Sequence, residues 1–231
     1  MKIPGPLLKG RFLDRPNRFI TRVELDGRVV VSHLADPGRL EELLVPGAEL
    51  YLRPAAPGSG RKTRYSTILV RQGEILVSLV SALPNQFVGE ELAARRLPLL
   101  RNYQLIRPEV SVGKHRFDFL LERGGSPFYL EVKSVTYVEN GVARFPDAVS
   151  ERAVRHADAL AGLARSGIAT GILFVCQRQD ADCFRPFVDR DPRFAAALAT
   201  AGRAGVRINC ITTRVTLEEI TYYQEIPVVL D

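Results

Sequence analysis

Arg116-Phe117-Asp118-Phe119-Leu120-Leu121 and, after the turn Arg123-Gly124-Gly125-Ser126-Pro127, Phe128-Tyr129-Leu130-Glu131-Val132-Lys133-Ser134 decide the fold. Both runs are apolar enough for buried strands, and both carry charge where charge is costly. Glu131 and Lys133 are two apart and share one face of their strand. The Gly-Gly turn makes the two strands neighbours, so Asp118 can come level with Glu131. Working outward, Gln104–Val112 reads as a third strand before this pair, and Asn85–Arg101 as a helix before that. Asp147–Arg165 reads as a long amphipathic helix, Ala169–Cys176 as a buried strand, Asp191–Ala204 as a helix, and Val206–Ile211 as a last buried strand. The order α-β-β-β-α-β-α-β is that of a three-layer α/β domain over residues 84–231.

Residues 1–83 have a different rhythm. Arg18–Leu25 and Arg28–Leu34 flank Asp26-Gly27, the signature of a hairpin. Glu49–Arg53 is a further strand, and Thr67–Arg71 and Ile75–Val80 flank Gln72-Gly73-Glu74. Between them lies a Pro/Gly-rich loop, residues 54–64, with three cations. Five or so short strands suggest a small β-barrel.

The 231 residues carry 32 Lys/Arg against 26 Asp/Glu, a net charge of +6. Residues 1–83 hold 13 basic and 8 acidic residues, or +5; residues 84–231 hold 19 and 18, or +1. A basic field confined to one third of a chain points to a polyanion, nucleic acid being the commonest. A merely solvated basic surface is the alternative. Arg11, Arg18, Arg39, Arg61, Lys62 and Arg64 are the candidate phosphate contacts, since guanidinium forks suit phosphate. Phe19, Tyr51 and Tyr65 are candidate stacking platforms for bases. No helix-turn-helix or zinc-finger spacing occurs, so sequence-selective reading of the major groove has no support. No apolar run approaches the length of a spanning helix, and the N-terminus shows no secretory pattern, so the expectation is a cytoplasmic protein without a membrane partner. Cys176, Cys183 and Cys210 form no C-x-x-C pair and read as reduced thiols. Oligomeric state is not legible.

The chemistry is expected at Asp118, Glu131 and Lys133. Two carboxylates on paired strands suit Mg²⁺, or Mn²⁺, with waters and substrate phosphate filling the remaining positions. An adjacent lysine can orient or deprotonate a water, or offset charge building on phosphorus. The acid-x-Lys tripeptide alone is weak: 26 acids and 5 lysines give about 0.6 by chance in this chain. A structural ion pair of Lys133 with Glu131 or Asp118 is the alternative. Around the trio, Glu90, Asp147, Arg152 and His156 are candidates for supporting or phosphate contacts. Asp147 also reads as the helix cap.

The element order, with Asp118 and Glu131-Val132-Lys133, resembles the PD-(D/E)xK nuclease superfamily. The longer stretch Glu131-Val132-Lys133-Ser134-Val135-Thr136, then Phe145-Pro146-Asp147-Ala148-Val149-Ser150-Glu151-Arg152 and His156, is similar to the sugar fermentation stimulation protein (SfsA) family. So are Arg18-Phe19, His33 with Gly38-Arg39, and Asn85. The family's loop commonly reads Asn-Thr-Gly where this chain has Asp36-Pro37-Gly38, and Thr where it has Ser150. The resemblance implies an N-terminal OB-like barrel followed by a restriction-endonuclease-like α/β domain. It also implies DNA binding, to single or double strands and weakly sequence-selective, with Mg²⁺-dependent phosphodiester hydrolysis at the trio. The alternative is a non-catalytic DNA-binding regulator of sugar metabolism that keeps the nuclease scaffold. A carbohydrate or other small-molecule enzyme built on the barrel is a third reading, disfavoured by the basic charge. The nuclease reading requires Asp118, Glu131 and Lys133 to converge.

Overall fold

The computed structural model describes residues 1–230. Leu8–Asn17 (β1), Ile20–Leu25 (β2), Arg28–Leu34 (β3), Glu49–Pro54 (β4) and Tyr65–Gln72 (β5) close into a five-stranded barrel. The ring runs β1-β2-β3-β5-β4 and back to β1; every pairing is antiparallel except β3 with β5, which is parallel and closes it. This is the OB arrangement expected. Ile75–Ser78 (β6) extends the sheet from β5. Asp26 and Gly27 join β2 to β3 with φ of 50° and 73°, the two left-handed residues a tight hairpin turn needs. Phe12, Val23, Leu34, Leu50, Leu52 and Val70 fill the interior, with Leu40, Leu43 and Leu44 supplied by the loop between β3 and β4.

The expected strand at Arg18–Leu25 is shorter than its sequence suggests. Residues 18 and 19 form a turn, closed by Asn17 Oδ1 accepting the Phe19 N–H at 2.9 Å, and the strand starts at Ile20. Strand β1 precedes it and escapes pattern reading because its outward residues are charged. They pair across strands, Arg11 with Glu24 and Arg22 with Asp14.

Leu83–Ala93 (α1) opens the second half. It stops well short of the expected Arg101: Arg95 takes a left-handed φ of 55°, and Pro98–Leu100 form a single 3-10 turn. Gln104–Val112 (β7), His115–Arg123 (β8) and Ser126–Val135 (β9) make an antiparallel meander. Tyr137–Glu139 (β10) and Val142–Phe145 (β11) follow, then Glu151–Arg165 (α2), Ala169–Cys176 (β12), Cys183–Pro186 (β13), Pro192–Arg203 (α3), Arg207–Val215 (β14) and Ile220–Ile226 (β15). The main sheet is ordered β15-β14-β12-β9-β8-β7, with β9, β12 and β14 parallel. A small sheet, β10-β11-β13, stands beside it. Strand β15 pairs with β14 along one edge of the main sheet.

The sheet is covered on both faces. On one, Phe87, Val88 and Leu92 of α1 meet Phe119, Leu130, Val132 and Leu173, and the barrel adds Tyr51, Ile68, Leu69 and Leu76 to this core. On the other, Ala157 and Leu160 of α2 and Phe194 and Leu198 of α3 cover Ile172, Phe174 and Cys210. The three cysteines are free thiols, and burial pushes the Cys176 thiol up to about 12.

Helix α2 begins at Glu151, not at Asp147. Ser150 is its cap, with Oγ accepting the Ala153 N–H at 3.2 Å. Asp147 does not cap. It reaches the barrel, where Oδ2 accepts the Leu40 N–H at 2.7 Å, and its other oxygen binds Arg190. Gly38 is required by this approach: a Cβ there would lie 3.0 Å from Asp147 Oδ2.

Candidate active site

Strand β8 changes face at Asp118. Phe117 packs in the α2 and α3 core and Phe119 in the α1 core, whereas residues two apart in a regular strand share a face. On the neighbouring strand β7, between partners of Phe117 and Phe119, Glu109 adopts φ 51°. This local irregularity turns the Asp118 carboxylate across to β9, where Oδ2 accepts the Val132 N–H at 2.7 Å. Its Oδ1 accepts from Asn85 Nδ2 in the first turn of α1, at 2.6 Å. The β8–β9 pairing ends at Phe119 with Leu130, and Asp118 and Glu131 are the next residues on the two strands, each within reach of the other's charge.

Glu131 and Lys133 lie on the α2 side of β9. Glu131 is 2% exposed. Its Oε1 accepts from Lys133 Nζ at 2.5 Å and from His156 Nδ1 at 2.6 Å. A carboxylate can only accept, so Nδ1 carries the proton in this contact. Phe117 and His115 lie edge-on or tilted against the His156 ring, holding it in place. The second oxygen of Glu131, Oε2, is buried with no hydrogen-bond partner.

The two carboxyls are driven apart. Burial raises Asp118 to about 6, the Glu131 charge adds to the rise, and the bonds from Val132 and Asn85 and the Lys133 charge oppose it. Burial also acts to raise Glu131, but the His156 bond and the Lys133 ammonium outweigh it and hold its carboxyl below the usual range. Glu131 is therefore the stronger acid of the pair, and Asp118 the one that takes up a proton first as pH falls.

A hard divalent cation fits these residues. The donor set is oxygen, the two carboxylates stand on adjacent strands within range of each other's charge, and Glu131 offers a buried oxygen that nothing else satisfies. No group of three or more carboxylate, His or Cys side chains is gathered for a metal among the described residues, so the pair stands with Lys133 and without a third acid.

The other sequence candidates divide sharply. His156 joins the trio through Glu131. Arg152, one turn earlier, is exposed on α2. Glu90 does not come to the site as a third acid: it is exposed, bonded by Gln86 at 3.1 Å and 3.9 Å from the Met1 amino group. Asn85, from the same helix, is the residue that reaches Asp118. Its only sequence signal is a polar amide in the first turn of a helix that precedes the strands. Arg18, Arg39, Arg61, Lys62 and Arg64 are exposed, whereas Arg11 is held by Glu24 through Nε at 3.1 Å and Nη2 at 2.6 Å. Of the three aromatics, Phe19 is 50% exposed, but Tyr51 is buried with its hydroxyl between Glu49 and Arg71. His33 sits within β3, and the adjoining turn is closed by Asp36, whose Oδ1 accepts the Gly38 N–H at 2.7 Å. An asparagine carbonyl could do the same, which is why the Asp36-Pro37-Gly38 variant keeps the turn.

A further cluster of charged residues lies where barrel and α/β domain meet, and of these Glu42 carries no signal in the sequence. Arg15 donates to the carbonyls of Arg18, Asp36, Gly38 and Arg39 and so staples the turn. Asp36 and Glu42 are raised by burial to about 6 and about 7, with the Asp147 charge adding to each. No helix of the described residues is long and apolar enough to cross a membrane.

Comparison with known proteins agrees with this architecture half by half. Residues 13–79 match the family model described as the SfsA N-terminal OB domain, and residues 82–219 match that of the sugar fermentation stimulation protein RE domain. A sugar fermentation stimulation protein homolog of Moorella thermoacetica is 44% identical over 209 residues, 90% of each chain. One from Acetivibrio thermocellus is 42% identical over 233 residues and the full length of both. The structure described as Pyrococcus furiosus SfsA in complex with Ca²⁺ superposes with a TM-score of 0.89 at 31% identity, covering 99% of this chain and 98% of the other. With both halves matched and relatives aligned end to end, the chain belongs to the sugar fermentation stimulation protein (SfsA) family.

Proposed function

We propose that the protein binds DNA, with weak sequence selectivity, and hydrolyses phosphodiester bonds with Mg²⁺ or Mn²⁺ at Asp118, Glu131 and Lys133. The observation that carries this reading is the Glu131 carboxylate: ionised, almost fully buried, and left with one unpaired oxygen within range of the Asp118 charge. Lys133 and His156 satisfy one oxygen of this carboxylate, and a cation would complete the other, which is buried without a partner. The neighbour described as an SfsA in complex with Ca²⁺ supports binding of a divalent cation here.

In this reading Asp118 and Glu131 hold the cation, which supplies positive charge against the scissile phosphate. Asn85 and the Val132 N–H fix the Asp118 carboxylate, and His156 Nδ1 fixes that of Glu131. Lys133 Nζ, beside Glu131 Oε1, would orient the attacking water or offset charge on phosphorus. Exposed Arg18, Arg39, Arg61, Lys62 and Arg64 hold the backbone, and phosphate neutralisation makes binding steeply salt-dependent.

One observation favours the second reading, a DNA-binding scaffold that does not cut. Lys133 is only 11% exposed and already pairs with Glu131, so the two charges are partly satisfied without a metal. The discriminating experiment incubates fluorescent single- and double-stranded DNA with the protein in Mg²⁺, Mn²⁺ or EDTA, scoring binding and cleavage separately. Cleavage in metal and none in EDTA supports hydrolysis. Binding that weakens with salt, with no cleavage in either metal, leaves the scaffold reading.

A further inference from the structure

A cleft of about 280 Å³ lies between the barrel and the α/β domain. Arg18, at the β1–β2 turn, and the Asp36–Gly38 turn form one wall, and Ser134–Thr136 with Arg144–Ser150 form the other. The segments that hold the trio lead directly into it. Ser81 precedes α1, Ser150 caps α2, and Ser134 follows Lys133 on β9. Glu131 to Ser134 is about 10 Å along a strand, so one bound chain can touch both places.

The lining has two chemistries. Asp147 is taken up by Leu40 N–H and Arg190, and Asp36 by the Gly38 N–H. Arg18 and Arg144, by contrast, have no carboxylate partner among the described residues. Arg144 Nε is buried with nothing to bond, and its guanidinium lies 5.4 Å over the Phe187 ring. Beside the hydroxyls of Ser81, Ser134, Thr136 and Ser150, the wall has an apolar stretch of Phe145, Pro146, Ala148 and Val149, and Val149 is 66% exposed. Phe19, next in sequence to Arg18, is 50% exposed. Unpaired guanidinium groups next to apolar and aromatic surface suit a chain that offers both phosphates and bare base faces. A duplex keeps its base faces stacked inside and offers only its backbone and groove edges.

We propose that this cleft seats a nucleotide of a single strand, its phosphate between Arg18 and Arg144 and its base against the Pro146–Val149 wall, with a neighbouring base stacked on Phe19. The preferred substrate is then a single strand or a single-stranded end, delivered alongside Asp118 and Glu131. This inference rests on the nucleic-acid reading above.

The test is fluorescence anisotropy with a labelled oligothymidine and a duplex of equal length, in EDTA so that nothing is cut, across a salt series. The proteins are wild type, Arg18→Ala/Arg144→Ala, Phe19→Ala and Ala148→Trp, each checked by thermal melting. Wild type should bind the single strand more tightly than the duplex. The double arginine variant should lose at least tenfold in single-strand affinity and flatten its log–log salt slope by about 0.7, for the one phosphate it no longer neutralises. Ala148→Trp fills the cleft and keeps both arginines, and should weaken single-strand binding as well. Phe19→Ala removes an exposed ring, so its loss of affinity reports stacking and not folding. Equal or tighter duplex binding, or single-strand affinity unchanged in the variants, overturns the inference while leaving DNA binding intact. No binding of either form by wild type overturns both readings together.

Discussion

Glu131 has opposed demands on its single carboxylate. Burial argues against its charge, yet Lys133 and His156 hold it ionised and leave Oε2 open. The His156→Ala variant tests the supporting role of the imidazole. Loss of a group that orients a metal-binding carboxylate commonly costs 10–100-fold, so metal affinity by calorimetry should fall by about that factor while the fold persists. Glu42 makes a different prediction. Its carboxyl is raised from 4.5 to about 7, so the folded protein holds the proton to higher pH than the unfolded chain does. The stability this contributes is present below about pH 4.5 and is lost as pH rises through about 7. Glu42→Gln should therefore raise the melting temperature at pH 8, by roughly 3 °C for each kcal/mol relieved, and leave it unchanged at pH 4. The trio is legible in the sequence because charge inside apolar strands is conspicuous. The burial of Asp36, Glu42 and Asp147 is not, because what covers them comes from the other half of the chain, as the Leu40–Asp147 bond illustrates.

At the scale of elements, one carboxylate ties two helix starts together. Asp191 is 2% exposed; its Oδ1 accepts the Phe194 N–H at the start of α3, and its Oδ2 accepts the Ser150 N–H at the start of α2. Asp191→Ala orphans both donors, whereas Ser150→Ala loses one capping bond of about 1 kcal/mol. Denaturant unfolding should show Asp191→Ala losing at least twice as much stability as Ser150→Ala. Equal losses would mean the link between helices is energetically idle. The helices and buried strands are readable from periodicity and apolar runs, and Asp26-Gly27 from turn chemistry. Helix α2 starts later than the sequence suggests because Asp147 and Ser150 are both good capping residues. What separates them is tertiary: Asp147 is drawn to Leu40 and Arg190. Strands β10, β11 and β13 are short and half polar, and they exist because they pair with one another across a long sequence gap.

For the whole molecule, the basic surplus of the first third is not spread evenly over the barrel. Arg11 and Arg22 are paired with Glu24 and Asp14, and Lys9 and Arg71 share Glu49. The exposed cations left are Arg61, Lys62 and Arg64 of the Pro/Gly loop, with Arg18 at the cleft, Arg28 at the β2–β3 hairpin and Arg39. Replacing Arg61, Lys62 and Arg64 together by alanine should flatten the salt slope of duplex binding by up to about 2.7, about 0.9 per phosphate, while Arg11→Ala changes it little. An Arg11 effect as large as the loop's would mean that charge acts without regard to pairing. The central claim is that two carboxylates and a lysine brought together by β8 and β9 make a metal-dependent hydrolytic site. It is tested most directly by single-turnover cleavage of end-labelled DNA in Mn²⁺ and in EDTA, using wild type, Asp118→Asn, Glu131→Gln and Lys133→Ala, with folding checked for each. The account predicts cleavage by wild type in metal alone and a loss of at least a hundredfold in every variant. Cleavage that survives EDTA, or variants that cut at the wild-type rate, would contradict it.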